Sequence, residues 1–266
     1  MATPKKFSIQ QVFEILLRDP ETKEIKAYLE DLKTSGLENT AEMVYPTGGR
    51  GNVYVGGGFS HSKRATLNVE NATFNTEVMA IQNGTEIKTT GFNIVKYEIV
   101  TVNSNSATIS ESAVGTAGSE IGYAYVVNDD GTYSTKLVQD TAASSGKFAY
   151  AAKSLTFSGL ANDTKVAVCY EYTPDDAQLI SVTADGIPAT VLVTAYGLAK
   201  DVCTGKLYPC QVDGMAQVDA NYTLDLSADG DPAVHALNLE FVKSCTSKKL
   251  YDFKIYTDDE DTPSSL

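Results

Sequence analysis

Ile121-Gly-Tyr-Ala-Tyr-Val-Val127 runs into Asn128-Asp-Asp-Gly131, after which Tyr133 and Leu137 resume the pattern. Large side chains at 121, 123, 125 and 127 alternate with smaller neighbours, the period of a strand with one face packed and one face wet. Asp-Gly readily takes the positive φ angles of a tight hairpin turn, so the stretch predicts two antiparallel strands joined at 128–131. The same period recurs at Val166, Val168, Tyr170 and Tyr172, and again at Ile187, Ala189, Val191, Val193 and Ala195. Tyr222, Leu224 and Leu226 lead through Ser227–Pro232 to His235, Leu237, Leu239 and Phe241, and Tyr251, Phe253 and Ile255 suggest a last strand. These rhythms predict a mainly β protein built from antiparallel sheets.

Outward from these strands, residues 12–33 admit two readings. Ile25, Tyr28, Leu29 and Leu32 fit helical spacing. Val12–Leu17, the Pro-containing turn Arg18–Lys23 and Ile25–Leu29 make a hairpin instead, the preferred reading for 12–29, with a short helical turn near 29–34 left open. From Asn103 to about Asp185 the chain becomes rich in Ser, Ala, Thr, Gly and Tyr, bounded by Asn103–Ser106 and Thr173–Asp176. The expected organisation is a parent β-sandwich or barrel domain from 1–102 and 186–257. A small Ig-like β-sandwich is expected at 103–185, inserted at exposed turns where few contacts cross. Residues 258–266 read as an acidic tail.

Over its 266 residues the chain sets 21 Lys and Arg against 34 Asp and Glu, a formal charge of −13. That balance argues against a dedicated nucleic-acid binder and against docking on an anionic membrane, both of which need a basic face. Met1–Ser8 lacks the apolar run of a secretory signal, and no stretch reaches membrane-spanning length, so neither export nor a membrane partner is expected.

Reactive constellations are scarce. Gly48–Gly58 carries no Gly-Lys-Ser/Thr and no helix pattern follows it, so it is not a phosphate loop. Tyr54 occupies the slot of a third dinucleotide-binding glycine. Glycines here read as positions for a bulge, a twist or close backbone approach. His235 lies in phase with Leu237, Leu239 and Phe241, which predicts a core or interface histidine; His61 sits beside the basic pair Lys63 and Arg64. Asp229 and Asp231, like Asp129 and Asp130, are ordinary turn residues that do not continue into a calcium loop. Cys203 and Cys210 have neither zinc-knuckle spacing nor a nearby His, and reduced buried thiols are the expectation, with a Cys203–Cys210 pair left open. No nucleophile, base, metal site or cofactor loop emerges, so no enzyme activity and no cofactor are expected.

Three stretches carry a likeness. They are Val12–Leu29 with its Asp19–Lys23 turn, Thr47–Phe59 leading into Ala65–Glu70, and Thr204–Asp213 continuing through Asn221–Ser227 to His235–Phe241. In style the chain resembles the virion structural proteins of tailed bacteriophages, most of all the tail tube (major tail) proteins. The resemblance implies a β-barrel or sandwich subunit that closes into six-membered rings, stacks into a hollow cylinder and reaches its neighbours with long hairpins. It implies a virion component, made in the host bacterial cytoplasm, whose partners are copies of itself and other virion proteins. DNA would pass through without tight binding. Candidate assembly residues are Gly48, Gly49, Gly51, Gly56, Gly57 and Gly58, with Lys63 and Arg64 placed to meet acids on a neighbour. The alternatives are a capsid decoration or head–tail completion protein and a β-rich surface or carbohydrate-binding module.

Overall fold

A computed structural model describes residues 4–9, 11–48, 53–54, 57–224, 230 and 233–257. The chain is mainly β. In order its elements are β1 (Phe7–Ile9), β2 (Glu14–Arg18), β3 (Ile25–Leu29), β4 (Leu32–Val44), β5 (Thr47–Gly48), β6 (Val53–Tyr54), β7 (Phe59–Asn71), α1 (Thr76–Asn83) and β8 (Ile94–Thr101). There follow β9 (Ser106–Thr108), β10 (Tyr123–Val127), β11 (Tyr133–Gln139), β12 (Lys147–Ala151), β13 (Ser154–Phe157) and β14 (Lys165–Tyr172). The last four are β15 (Thr190–Asp201), β16 (Leu207–Val218), β17 (His235–Phe241) and β18 (Tyr251–Ile255). Two compact units result: Met1–Ile87 with Ile180–Leu266, and Lys88–Leu179.

The first unit is a nine-stranded antiparallel sheet in the order β3-β2-β15-β16-β17-β7-β4, with β1 added to β15 and β18 to β16. Its terminal strands β3 and β4 are separated in sequence only by Glu30 and Asp31, so the sheet curls until its ends nearly meet. Phe13 N–H donates to Ser35 Oγ at 3.0 Å across that seam. Strict alternation fills the interior: Ile15 and Leu17, Val191, Val193 and Ala195, Val212, Leu237 and Leu239, and Leu67 and Val69 are all buried in one cluster. Period two sends every other side chain inward, which is why the sequence rhythm was a usable signal.

Residues 12–29 form the hairpin β2–β3, with Ile15 opposite Leu29 and Leu17 opposite Ala27. The helical alternative at 29–34 gives way because Leu32 begins β4, where pairing with Asn71 of β7 satisfies the backbone. A second correction concerns Tyr222–Leu226: residues 221–224 are irregular, Leu226 lies outside the described residues, and β17 pairs instead with β16 and β7.

The helix α1 was not anticipated. Asn75 accepts the Glu77 and Val78 N–H groups at 2.9 and 3.4 Å, and Gly84 closes the other end at φ +61°. Val78 and Ile81 enter the barrel core, and Gln82 is fully buried. Gln82 Nε2 donates to the Ala236 carbonyl at 3.1 Å, leaving its Oε1 to accept from His235 Nε2 at 2.7 Å. Phe74 stacks on the imidazole with centroids 4.8 Å apart, and Tyr222 meets it edge-on at 5.7 Å. Burial holds the His235 pKa below the ordinary value, so the ring is neutral.

A pH dependence follows. The unfolded chain takes up the proton near pH ~6.5 while the folded ring resists it, so stability present above that pH is lost as acid is added. Thermal melts are expected to move lower between about pH 7.5 and about pH 5.5, with part of that slope missing in His235→Gln. An unchanged slope in the variant would assign the effect to other groups.

The second unit is a seven-stranded sheet in the order β8-β14-β10-β11-β12-β13-β9, antiparallel except for the β11–β12 pair. It starts at Lys88 rather than Asn103, because β8 pairs along its whole length with β14. The hairpin at 128–131 forms as the sequence predicts, with Gly131 at φ +81° and the Thr132 N–H held by the Asp130 carboxylate at 3.0 Å. Phe148, Leu155, Phe157, Val166 and Val168 centre a separate core. Among the described residues no helix is long and apolar enough to cross a membrane.

Candidate assembly surface

Strands β4 and β7 are each thirteen residues long, about 44 Å at the usual rise, and longer than the barrel needs. Their inner halves belong to the sheet: Ala65, Leu67 and Val69 are buried, and Leu37 opposite Leu67 faces the same side. Beyond Leu37 the partnership changes. Every residue of Glu38–Val44 and of Phe59–Arg64 is exposed, and each strand pairs only with the other. The result is a two-stranded arm, about seven residues or ~24 Å long, carried off the barrel by the rigid strands that feed it.

A bulge shapes this arm. Thr40 is opposite Arg64 and Glu42 opposite His61, so Ser62 and Lys63 together face Ala41. Ser62 holds φ +52°, a conformation uncommon outside glycine, and such bulges increase the local twist and re-aim the strand. Beyond the bulge the tip turns apolar: Val44 is opposite Phe59, with Met43 one step back, and Phe59 is 69% exposed. Met43 and Tyr45 cover Gly58 on the other side, where an added Cβ would lie 2.6 Å from the Tyr45 ring. Met43, Val44 and Phe59 thus give this end of the ribbon an exposed apolar surface. Paired strands with both outer edges open and an apolar tip are what globular monomers avoid and assemblies use.

The sequence-derived candidates divide in several ways. Gly57, Gly58, Lys63 and Arg64 fall together on β7 or at its start. Gly48 pairs with Val53 in the short β5–β6 ribbon, while Gly49, Gly51 and Gly56 lie outside the described residues. Asp229 and Asp231 also lie outside them. Among the described residues a Cβ on Gly57 meets nothing within 4 Å. Arg64 Nε stands 3.8 Å from Glu240 Oε1 of its own barrel, an exposed ion pair at the arm's root. None of the ion pairs found among the described residues uses Lys63, whereas His61 Nδ1 lies 3.5 Å from Glu42. Sequence reasoning missed Met43, Val44, Tyr45 and Phe59. Past Leu37 polar Asn39 interrupts the apolar alternation, so period two gave no signal for them.

The four cysteines are free, with Cys203 exposed and Cys210 buried. Among the described residues no group of His, Cys, Asp and Glu is arranged to hold a metal ion. The second unit presents a different surface. Tyr97, Tyr123, Tyr125 and Tyr133 neighbour one another on an outer face, with Tyr97 and Tyr133 hydroxyls 2.9 Å apart and Lys136 Nζ 4.6 Å from the Tyr123 ring centre.

A family model described as the YomU/Tube protein family matches residues 7–253. The chain belongs to that family. As a YomU/Tube protein it is a structural protein of the phage tail tube type, and the match covers both units, the arm included. No curated protein matches the chain. For a YomU/Tube protein the exposed arm is the feature to explain.

Proposed function

We propose that the chain is the repeating subunit of a phage tail tube, that copies close into six-membered rings, and that stacked rings form the conduit through which DNA passes. The observation that carries this reading is the arm, Glu38–Val44 with Phe59–Arg64, whose strands pair there only with each other and expose Met43, Val44 and Phe59. Head-to-tail contacts between unlike surfaces generate rings or tubes, and an open ribbon edge adds to a neighbour's sheet through main-chain hydrogen bonds. The apolar tip then supplies burial. A charge of −13 suits a channel wall that repels phosphate, so DNA slides instead of adhering. In this reading the protein works in the virion with other virion proteins and performs no catalysis.

Sedimentation across a concentration series, followed by negative-stain imaging, tests the proposal. Rings or tubes are expected at high concentration; a monomer under every condition would count against it.

One observation favours an added role for Lys88–Leu179. Exposed Tyr97, Tyr123 and Tyr133 cluster around half-buried Tyr125, and exposed aromatic rings are side chains on which sugar rings can stack. A glycan array with the whole chain is expected to give saturable binding that Tyr97→Ala and Tyr133→Ala weaken; an array without signal removes this second reading.

A further inference from the structure

We infer that the open edge of β18, with the exposed core-side residues Phe7, Ile9 and Phe253 beside it, receives the arm of a neighbouring copy of this chain. The inference rests on the tube reading above and names the surface that the arm meets. Along β16 the partner strand changes: β17 takes Ala216–Val218 and β18 takes Cys210–Gly214. β7 joins this sheet through β17, and its last partner there is Glu240, opposite Thr66. Continuing towards Phe59, the outer half of β7 therefore runs at the height of β18. Among the described residues the two do not pair: β18 bonds to β16, and the outer half of β7 to β4. The sheet forks here, with an open strand edge on either side of the fork.

Beside the fork, side chains on the core side of the sheet stand in solvent. Ile9 is opposite Ala199 and Phe253 opposite Val212, and both of those partners are fully buried, so Ile9 and Phe253 lie on the core side. They are nonetheless 45% and 38% exposed. Phe7 lies on the same side by period two, is as exposed as Phe253, and stacks on it with ring centroids 5.9 Å apart. Elsewhere β4 and β7 help to close the core, through Leu37, Leu67 and Val69. At the height of β18 those two strands have become the arm. Contiguous apolar surface beside an open strand edge is what a partner strand covers.

The arm of a second copy fits this edge in kind and in area. The chain's own arm passes at the same height without pairing to β18, and Asn39 Nδ2 at its root donates to Tyr251 Oη at 2.8 Å. The acids Asp258–Asp261 that follow β18 in sequence are poor cover for three apolar side chains. A neighbour's arm brings a strand edge to pair with, and Met43, Val44 and Phe59 to set against Phe7, Ile9 and Phe253. Six large side chains, each about half exposed, hide roughly 100 Å² apiece, ~600 Å² in all. Strand pairing along the five residues of β18 adds main-chain area, towards the ~1,200 Å² total at which stable interfaces begin. Arm and edge are different surfaces, so each copy gives one and receives one. Such a contact propagates into a ring instead of stopping at a dimer.

The test mixes full-length variants and follows them by sedimentation. Phe253→Ser alters the receiving edge and keeps the arm; Val44→Ser with Phe59→Ser strips the arm tip and keeps the edge. Each variant alone is expected to need about tenfold more protein than the wild type to assemble, the effect of losing a large apolar contact at every interface. At concentrations where neither assembles alone, an equal mixture is expected to form heterodimers and nothing longer, because one intact arm meets one intact edge and no second contact is left. Ile9→Ser serves as a second edge variant if Phe253→Ser melts early, and the same mixture is expected from it. Wild-type assembly with both edge variants unaffected, or a mixture without heterodimers, overturns the inference while leaving the tube reading in place. A wild-type chain that stays monomeric at every concentration overturns both.

Discussion

Gly57→Val is expected to leave the subunit folded and to abolish its assembly into rings. Among the described residues a side chain at 57 meets nothing within 4 Å and φ there is not in the left-handed region, so no steric clash with them opposes it. In the proposed assembly, a neighbour laid along the ribbon would meet the added branched side chain where glycine leaves room for close backbone approach. Far-UV circular dichroism and melting should match the wild type within the ±0.5 kcal/mol usual for a surface change. Sedimentation should show monomer where the wild type assembles. Gly58→Val is the contrasting variant: its Cβ presses on Tyr45 and Met43, so it perturbs the arm itself. Normal rings from Gly57→Val would remove the glycine from the interface.

The largest loss of stability is expected from Leu239→Ala. Leu239 is fully buried at the meeting of four strands, in a cross-strand row with Val218, Leu67 and Leu37. Removing it deletes the transfer contribution and opens a cavity that rigid strands cannot close, about 2–5 kcal/mol. That is a large share of the ~5–15 kcal/mol typical of a domain. The barrel and the second unit have separate cores, so the loss should appear in the barrel's denaturant transition and not in that of Lys88–Leu179. Leu155→Ala, also fully buried, should do the reverse. A single transition shifted equally by both would show that the units unfold as one.

Strands whose inner faces are packed were legible from sequence because burial forces alternation. Val191, Val193 and Ala195 are buried, as are Leu237, Leu239 and Phe241, in the phase their spacing predicts. His235 was readable for the same reason: it shares that phase and is buried, held by Gln82. Where the chain leaves the core, the signal faded. The outer half of β4, Glu38–Val44, is exposed on both faces, so no burial constrains its pattern, and its role became visible only once β7 was seen beside it. α1 is eight residues long, too short for periodicity to stand out. Its caps Asn75 and Gly84 were the available evidence. Tyr222 and Leu224 misled because alternation alone does not name a partner, and β17 pairs with β16 and β7. For the proposed assembly surface, the glycine-rich stretch directed attention to the start of β7, whereas Met43 and Val44 of the arm lie in β4, where composition gave no signal.

Electron cryomicroscopy of the intact particle tests the central claim most directly. The account predicts this chain in the tail, in repeated rings around a central channel, with the arm of each copy lying across the sheet edge of the next. Density that places the chain elsewhere in the particle, or as isolated copies whose arms touch no sister subunit, would contradict it.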